Sequence, residues 1–225
     1  ILMGLVPLCL FCFIMFFMDN RLKEMVGQKT SLMVESDLDH IVKNVHATCS
    51  TTQALIQNEV NNALNVARNI LSSQGGMVAE GPTREWTAVN QYTKKKHVVT
   101  LPGLAIGEHP MVKNMSMDSP SYFVDKVKSL VGGTCTVFQR MDQDGSMLRI
   151  STNVVKKDGN RAVGTYIPAR NPDGSANPVI AEIMMGRTFR GRAFVVDQWY
   201  ITAYEPIFDS TQNLIGVLYV GIAQE

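Results

Sequence analysis

The residues best able to do chemistry are Arg140, Arg149, Arg187, Arg190 and Arg192, which fall in or beside β-branched and aromatic stretches of the C-terminal half. Arginine stays charged and offers its donors in a planar fork, which suits a carboxylate. Strand alternation sets their companions. Thr136, Phe138 and Arg140 share one face of residues 134–141. Met147, Arg149, Ser151 and Asn153 share one face of residues 147–155. In residues 199–208, Tyr200, Thr202 and Tyr204 stand opposite Trp199, Ile201 and Ala203. One face of such a sheet closes a core; the other is free to offer hydroxyls, ring edges and a guanidinium to a small ligand. Alternation alone does not say which face is which. For each arginine the competing assignment is a solvated surface charge, and for each tyrosine it is core packing with a satisfied hydroxyl.

Catalytic signatures are missing. The sequence holds no G-x-S-x-G, no H-E-x-x-H, no P-loop and no G-x-G-x-x-G. His40 and His46 are six residues apart, neither i+3 nor i+4, so they do not share a metal in the usual way. His97 and His109 sit in loop or edge sequence. Cys9 and Cys12 spell C-x-x-C inside an apolar run, where a packed or lipid-facing thiol pair fits better than metal or redox chemistry. Cys49 and Cys135 stand alone, and their spacing says nothing about pairing. The expectation is a non-enzymatic protein with no metal and no cofactor. A net charge of +1 argues against a nucleic-acid partner, and Lys94, Lys95 and Lys96 read as a solvated loop.

The elements that must position these residues start with an apolar run. Residues 1–18, ILMGLVPLCLFCFIMFFM, contain no charge, and that length meets the roughly 17–25 residues of a membrane-spanning helix. No basic region precedes the run and no small-x-small site follows it, so an uncleaved transmembrane helix is expected over a signal peptide. The chain opens on Ile, so the native N-terminus is expected upstream. Residues 19–36 form a helical connector. From Leu38 the apolar positions Ile41, Val45, Cys49, Thr52, Ile56, Val60, Ala63, Ala67 and Ile70 follow at gaps of three or four, the stripe of a long helix. Asp37 is a plausible local cap unless the helix runs on unbroken. A long helix with Asn, Gln, Thr and Lys on its outer face suits a rod rising from the membrane or a dimer seam; burial against its own domain is the alternative.

Gly75 and Gly76 end that helix. Residues 82–89 read as a short second helix, 97–100 as a strand and 104–117 as a loop. Residues 121–131 read as a helix started by Ser119 and Pro120. A hairpin follows, 134–141 and 147–155 about the turn 142–145. Then come a brief strand at 163–167, a short helix at 177–185, and strands at 191–197, 199–208 and 214–222. This order predicts an α+β fold with a five-stranded sheet.

The strings TVFQRMDQDGSMLRISTNV, GTYIPARNPDG, NPVIAEIMMGRTFRGRAFVVDQWYITAYEPIFD and LIGVLYVGI resemble the extracytoplasmic Cache sensor domains of bacterial methyl-accepting chemotaxis proteins and sensor histidine kinases. The likeness is to the single-module type described as a fusion of two Cache families, and it is dense from Thr134 on. It implies a PAS-like five-stranded antiparallel sheet and a long N-terminal helix continuous with a membrane span. It also implies a small-molecule pocket on the sheet and a second span soon after Glu225. The domain order expected is a transmembrane helix at 1–18, a connector at 19–36 and the sensor domain at 37–225, in an inner-membrane homodimer with the sensor outside the cytoplasm. On that platform the expected ligand is a small organic anion such as a carboxylate. Arg149, Arg187 or Arg192 would clamp it, Ser151, Tyr200, Thr202 and Tyr204 would hydrogen-bond it, and Phe138 and Tyr166 would wall it. An envelope domain that binds a periplasmic protein is the other expectation kept open.

Overall fold

A computed structural model of the chain describes the backbone of residues 5–224 and the side chains of residues 13–224. Helix α1 runs Leu5–Ser73. Strands β1 (Met77–Ala79), β2 (Arg84–Asn90), β3 (Lys96–Leu101), β4 (Leu104–Ile106) and β5 (His109–Pro110) follow, then helix α2 (Tyr122–Val131). After it come β6 (Thr134–Arg140), β7 (Met147–Thr152), β8 (Thr165–Ile167) and helix α3 (Pro178–Met184), and the described residues close with β9 (Phe189–Val195), β10 (Gln198–Phe208) and β11 (Leu214–Ala223).

The main sheet has eight strands in the order β3-β2-β8-β7-β6-β11-β10-β9, and β1, β4 and β5 make a small second sheet. The strand pairs are antiparallel except β2 with β8. The fold is α+β, as expected, and the run β7-β6-β11-β10-β9 is the expected five-stranded unit, contiguous within a longer sheet. The extra strands come from segments read differently in the sequence. Residues 82–89 were expected to be helical, yet β2 buries Trp86 and Ala88 while Glu85 and Thr87 face out. That alternation, with Trp, Thr and Val in the run, suits a pleated surface and not a helix. Part of the expected loop 104–117 pairs as β4 and β5.

Alternation divides the core in two. Val137, Leu148, Ile150, Ile201, Ala203, Leu218 and Val220 pack with Val60, Leu64 and Ala67 of α1 and with Phe123, Val124 and Val127 of α2. Phe138, Met147, Tyr204, Val217 and Tyr219 pack on the opposite face with Val179, Ile180 and Ile183 of α3. α3 is placed by its cap: Asn177 accepts hydrogen bonds from the N–H groups of Val179 and Ile180, and Pro178 takes the first helical position.

Two compact units divide within α1, at 1–53 and Ala54–Glu225. In the second, α1 presents its buried stripe to the sheet and is clamped to β10. Arg68 donates from Nε to Glu205 at 2.6 Å and from its terminal nitrogen to the other carboxylate oxygen. In the first, α1 is exposed on every described side, and Asp37 is mid-helix, not a cap. The expected span at 1–18 falls mostly on residues whose side chains lie outside the described set. Among the described residues no helix is long and apolar enough to cross a membrane.

Candidate functional site

A cavity of about 520 Å3 opens on the α3 side of the sheet, where β9 is the edge strand. That volume is in the usual range for small-molecule sites, about 300–1,000 Å3. Its apolar wall includes Tyr92, Val179, Phe189, Phe194, Trp199 and Tyr204. A larger hollow of about 720 Å3 lies along residues 13–25, but a single helix walls it and among the described residues nothing faces it to enclose a ligand.

The walls are held by polar ties. Asn177 Nδ2 donates to the Tyr92 hydroxyl at 3.2 Å and to Asn171 Oδ1 at 3.1 Å, joining the β2–β3 turn to the loop before α3. Tyr92 in turn stacks on Phe194 of β9, with ring centroids 6.3 Å apart. Lys94 Nζ donates to the carbonyls of Gln91 at 2.6 Å and Val196 at 3.2 Å, so it straps that turn to the β9–β10 hairpin. Val196 holds φ at +61° in this two-residue turn. A β-branched residue in the left-handed region is strained by about 1–3 kcal/mol, and Lys94 bonds the carbonyl of that residue.

Charge in and behind the cavity is unevenly matched. Arg192 borders the cavity with its guanidinium over the Trp199 ring at 4.4 Å, and it forms no ion pair among the described residues. Arg149 sits behind the wall, 0 % exposed, with its guanidinium 4.8 Å from the Phe138 ring centre. One terminal nitrogen of Arg149 donates to Thr165 Oγ1, while Nε and the other terminal nitrogen are buried without a partner. Burial therefore pushes the Arg149 pKa down, against the pull of Tyr204, Tyr219 and Tyr200 around it. Burial likewise pushes the Tyr204 hydroxyl well up, so it stays protonated and available as a donor. Other arginines are spoken for: Arg161 bonds Asp125 and Arg187 bonds Glu182. No cluster among the described residues is suited to hold a metal ion.

The expected site residues separate accordingly. Arg192 and Tyr204 border the cavity, and Arg149 and Phe138 lie together behind Tyr204. Arg187 is 56 % exposed in its side chain and paired with Glu182, away from the cavity wall. Ser151 leaves the face of Arg149 because a bulge shifts the β6–β7 register: Arg149 stands opposite Phe138, but Ser151 stands opposite Val137, a residue of the α1-side core. Tyr166 packs on that same core, and its hydroxyl accepts from Asn90 Nδ2. Tyr200 accepts from Gln198 at 2.6 Å and Thr202 donates to the Gly191 carbonyl at 2.7 Å, so both hydroxyls are engaged within the sheet.

Cavity residues outside that expectation include Gln91, Tyr92, Asn171, Asp173 and Asn177, all from turns and loops, and Trp199. Trp199 belongs by alternation to the face of Ile201, yet it sits at the hairpin end of β9–β10 and is 45 % exposed there. Cys49 and Cys135 are both free thiols, the first exposed and the second buried.

The model of one protein family, described as the Cache 3/Cache 2 fusion domain, matches residues 23–225. The match begins inside the expected connector, upstream of the boundary expected at residue 37. No curated protein and no solved structure gives a match.

Proposed function

This chain belongs to the Cache 3/Cache 2 fusion domain family, and from that premise we propose that it is the extracytoplasmic sensor of a transmembrane receptor, of chemoreceptor or histidine-kinase type, that binds a small carboxylate. Cache domains are extracellular ligand-sensing modules, generally without enzymatic activity. The single observation that carries the ligand class is Arg192, a cavity guanidinium with no carboxylate partner among the described residues. A guanidinium lying over an aromatic face can still donate from the edge of its fork, where its N–H groups lie. Arg149 adds a second, uncompensated positive charge behind Tyr204. A ligand carboxylate is stabilised by both and suffers no competition from a protein carboxylate already on either.

A route for the signal supports the sensor reading. Tyr204 touches the cavity, and the next residue, Glu205, holds Arg68 of α1 through two hydrogen bonds. Two residues earlier on β10, the Thr202 carbonyl accepts from Gln57 of α1. Ligand binding favours one of two strand–helix arrangements in proportion to its differential affinity for them, and α1 carries the shift of about 1–2 Å typical of helices at interfaces. The exposed stripe Leu38, Ile41, Val45 and Cys49 supports a homodimer seam on the same helix.

Calorimetric titration of the 225-residue chain with C2–C6 carboxylates tests the ligand class. Binding that weakens about tenfold or more in Arg192→Ala, the scale of a lost charge-assisted bond, and that survives Arg187→Ala, is the expected result. No binding, or equal binding by both variants, would remove the reading.

A further inference from the structure

Resting on the carboxylate reading above, we infer that the ligand is a small amino carboxylate, with its carboxylate on Arg192 and its ammonium between Asp173 and the side-chain carbonyl of Gln91.

The polar groups of the cavity leave few choices. Asn177 donates to both Tyr92 and Asn171. Asn177 also caps α3 through its oxygen, and Asn171 donates to Ser175 Oγ at 3.1 Å. Those three build the wall and have little left for a ligand. Gln91 differs. It is only 2 % exposed, it lines the cavity, and its Oε1 is buried with no partner. A desolvated acceptor of this kind needs a donor, and no donor among the described residues reaches it.

Asp173 sets the charge of that donor. It lines the same cavity, and its Oδ1 accepts from the N–H of Ser175 at 2.9 Å and from Ser175 Oγ at 2.6 Å. Those bonds hold its carboxyl below the usual carboxylate range, so it is ionised at neutral pH. Its ion-pairing capacity is unused: the cavity carries Arg192 and Asp173, and the two are not bonded to each other. A plain carboxylate would satisfy Arg192 while leaving Gln91 Oε1 without a donor and Asp173 facing a like charge. A plain amine would leave Arg192 unmatched. A 2-hydroxy acid would donate to Gln91 but bring no positive charge to Asp173. An amino carboxylate meets each of these groups, and the aromatic wall of Tyr92, Phe194 and Trp199 receives an apolar side chain.

Matched ligand triplets decide the matter. The 225-residue chain is titrated calorimetrically with propionate, lactate and alanine, and with 3-phenylpropionate, 3-phenyllactate and phenylalanine. The amino member of a triplet is expected to bind about tenfold or more tightly than its parent acid. Asp173→Asn is expected to erase that preference, weakening the amino member and, with the like charge gone, binding the parent acid at least as well as before. Ser175→Ala disturbs the same loop without removing the charge, and it is expected to keep the preference. Parent acids that bind as well as their amino forms, or a preference that survives Asp173→Asn, overturn the inference and leave the carboxylate reading standing. No binding by any member overturns both.

Discussion

Arg149 and Arg161 are buried to nearly the same degree, 0 % and 1 % exposed, and differ in what surrounds them. Arg161 holds Asp125 with two nitrogens and donates to the carbonyls of Ser116, Ser119 and Thr152. Arg149 has Thr165 and a ring of aromatic side chains, and two of its nitrogens have no partner. Removing one member of a fully buried pair costs about 3–5 kcal/mol, because the partner charge is left unmatched. Arg161 has such a partner in Asp125, itself 30 % exposed, and Arg149 has none among the described residues. Arg161→Met is therefore expected to destabilise strongly in urea or thermal unfolding. Arg149→Met is expected to keep or raise the melting temperature of the ligand-free protein, since Thr165 still donates to the Ala162 carbonyl and a thioether packs well on Phe138. Equal losses in the two variants would mean that Arg149 is a structural residue. Arginine type and strand alternation made Arg149, Arg192 and Tyr204 candidates from sequence, and of these Arg192 and Tyr204 border the cavity. They could not foresee Glu182 occupying Arg187 across the end of α3, nor the bulge that turns Ser151 away, because both depend on register and loop geometry and not on local pattern. Gln91 and Asp173 carry no periodic signal at all; turns that converge from distant parts of the chain bring them to the cavity.

At the level of elements, the strands from Thr134 onward were legible because β-branched and aromatic runs there are separated by strong turn signals such as Asp142–Gly145 and Asp209–Asn213. Strand β2 was not, because Pro82 at its start imitates helix-start chemistry and the run is too short for its period to speak clearly. The pairing of β2 with β3 and β8 is what settles it. On the proposed sensor reading, the junction of β10 with α1 is the element contact through which a signal would pass. Glu205 is one residue from Tyr204, so on that reading a displacement of the cavity wall would be passed to Arg68. The pair is partly exposed, at 40 % for Arg68 and 18 % for Glu205 in their side chains, so its stability contribution is discounted to about 1 kcal/mol or less. Arg68→Ala is thus expected to melt within a few degrees of the parent and to bind ligand with similar affinity. Amide exchange in residues 54–73 is expected to slow on ligand addition in the parent and to change much less in Arg68→Ala. The same protection in both would place the coupling elsewhere.

Across the whole molecule, α1 is a single helix that serves two ends differently. From Ala54 its apolar stripe is buried under the sheet, at Val60, Leu64, Ala67 and Leu71. Toward the N-terminus the same spacing continues through Leu38, Ile41, Val45 and Cys49, and there every one of those residues is exposed. A helix whose apolar stripe faces water over several turns is completed by a second surface, and a second copy of the same helix offers a complementary one. Cys49 lies on that stripe, so the native thiol reports whether the proposed homodimer seam forms there. In a chain carrying Cys9→Ser and Cys12→Ser, with Cys135 buried and unreactive, mild oxidation is expected to produce a disulfide-linked dimer on a non-reducing gel. Cys49→Ser is expected to abolish it. Single cysteines moved through residues 44–58 in the Cys49→Ser background are expected to crosslink with maxima three or four residues apart, as two facing helices require. Uniform crosslinking along that stretch would reflect random collision, and none at Cys49 or its stripe neighbours would leave the exposed face without a helical partner.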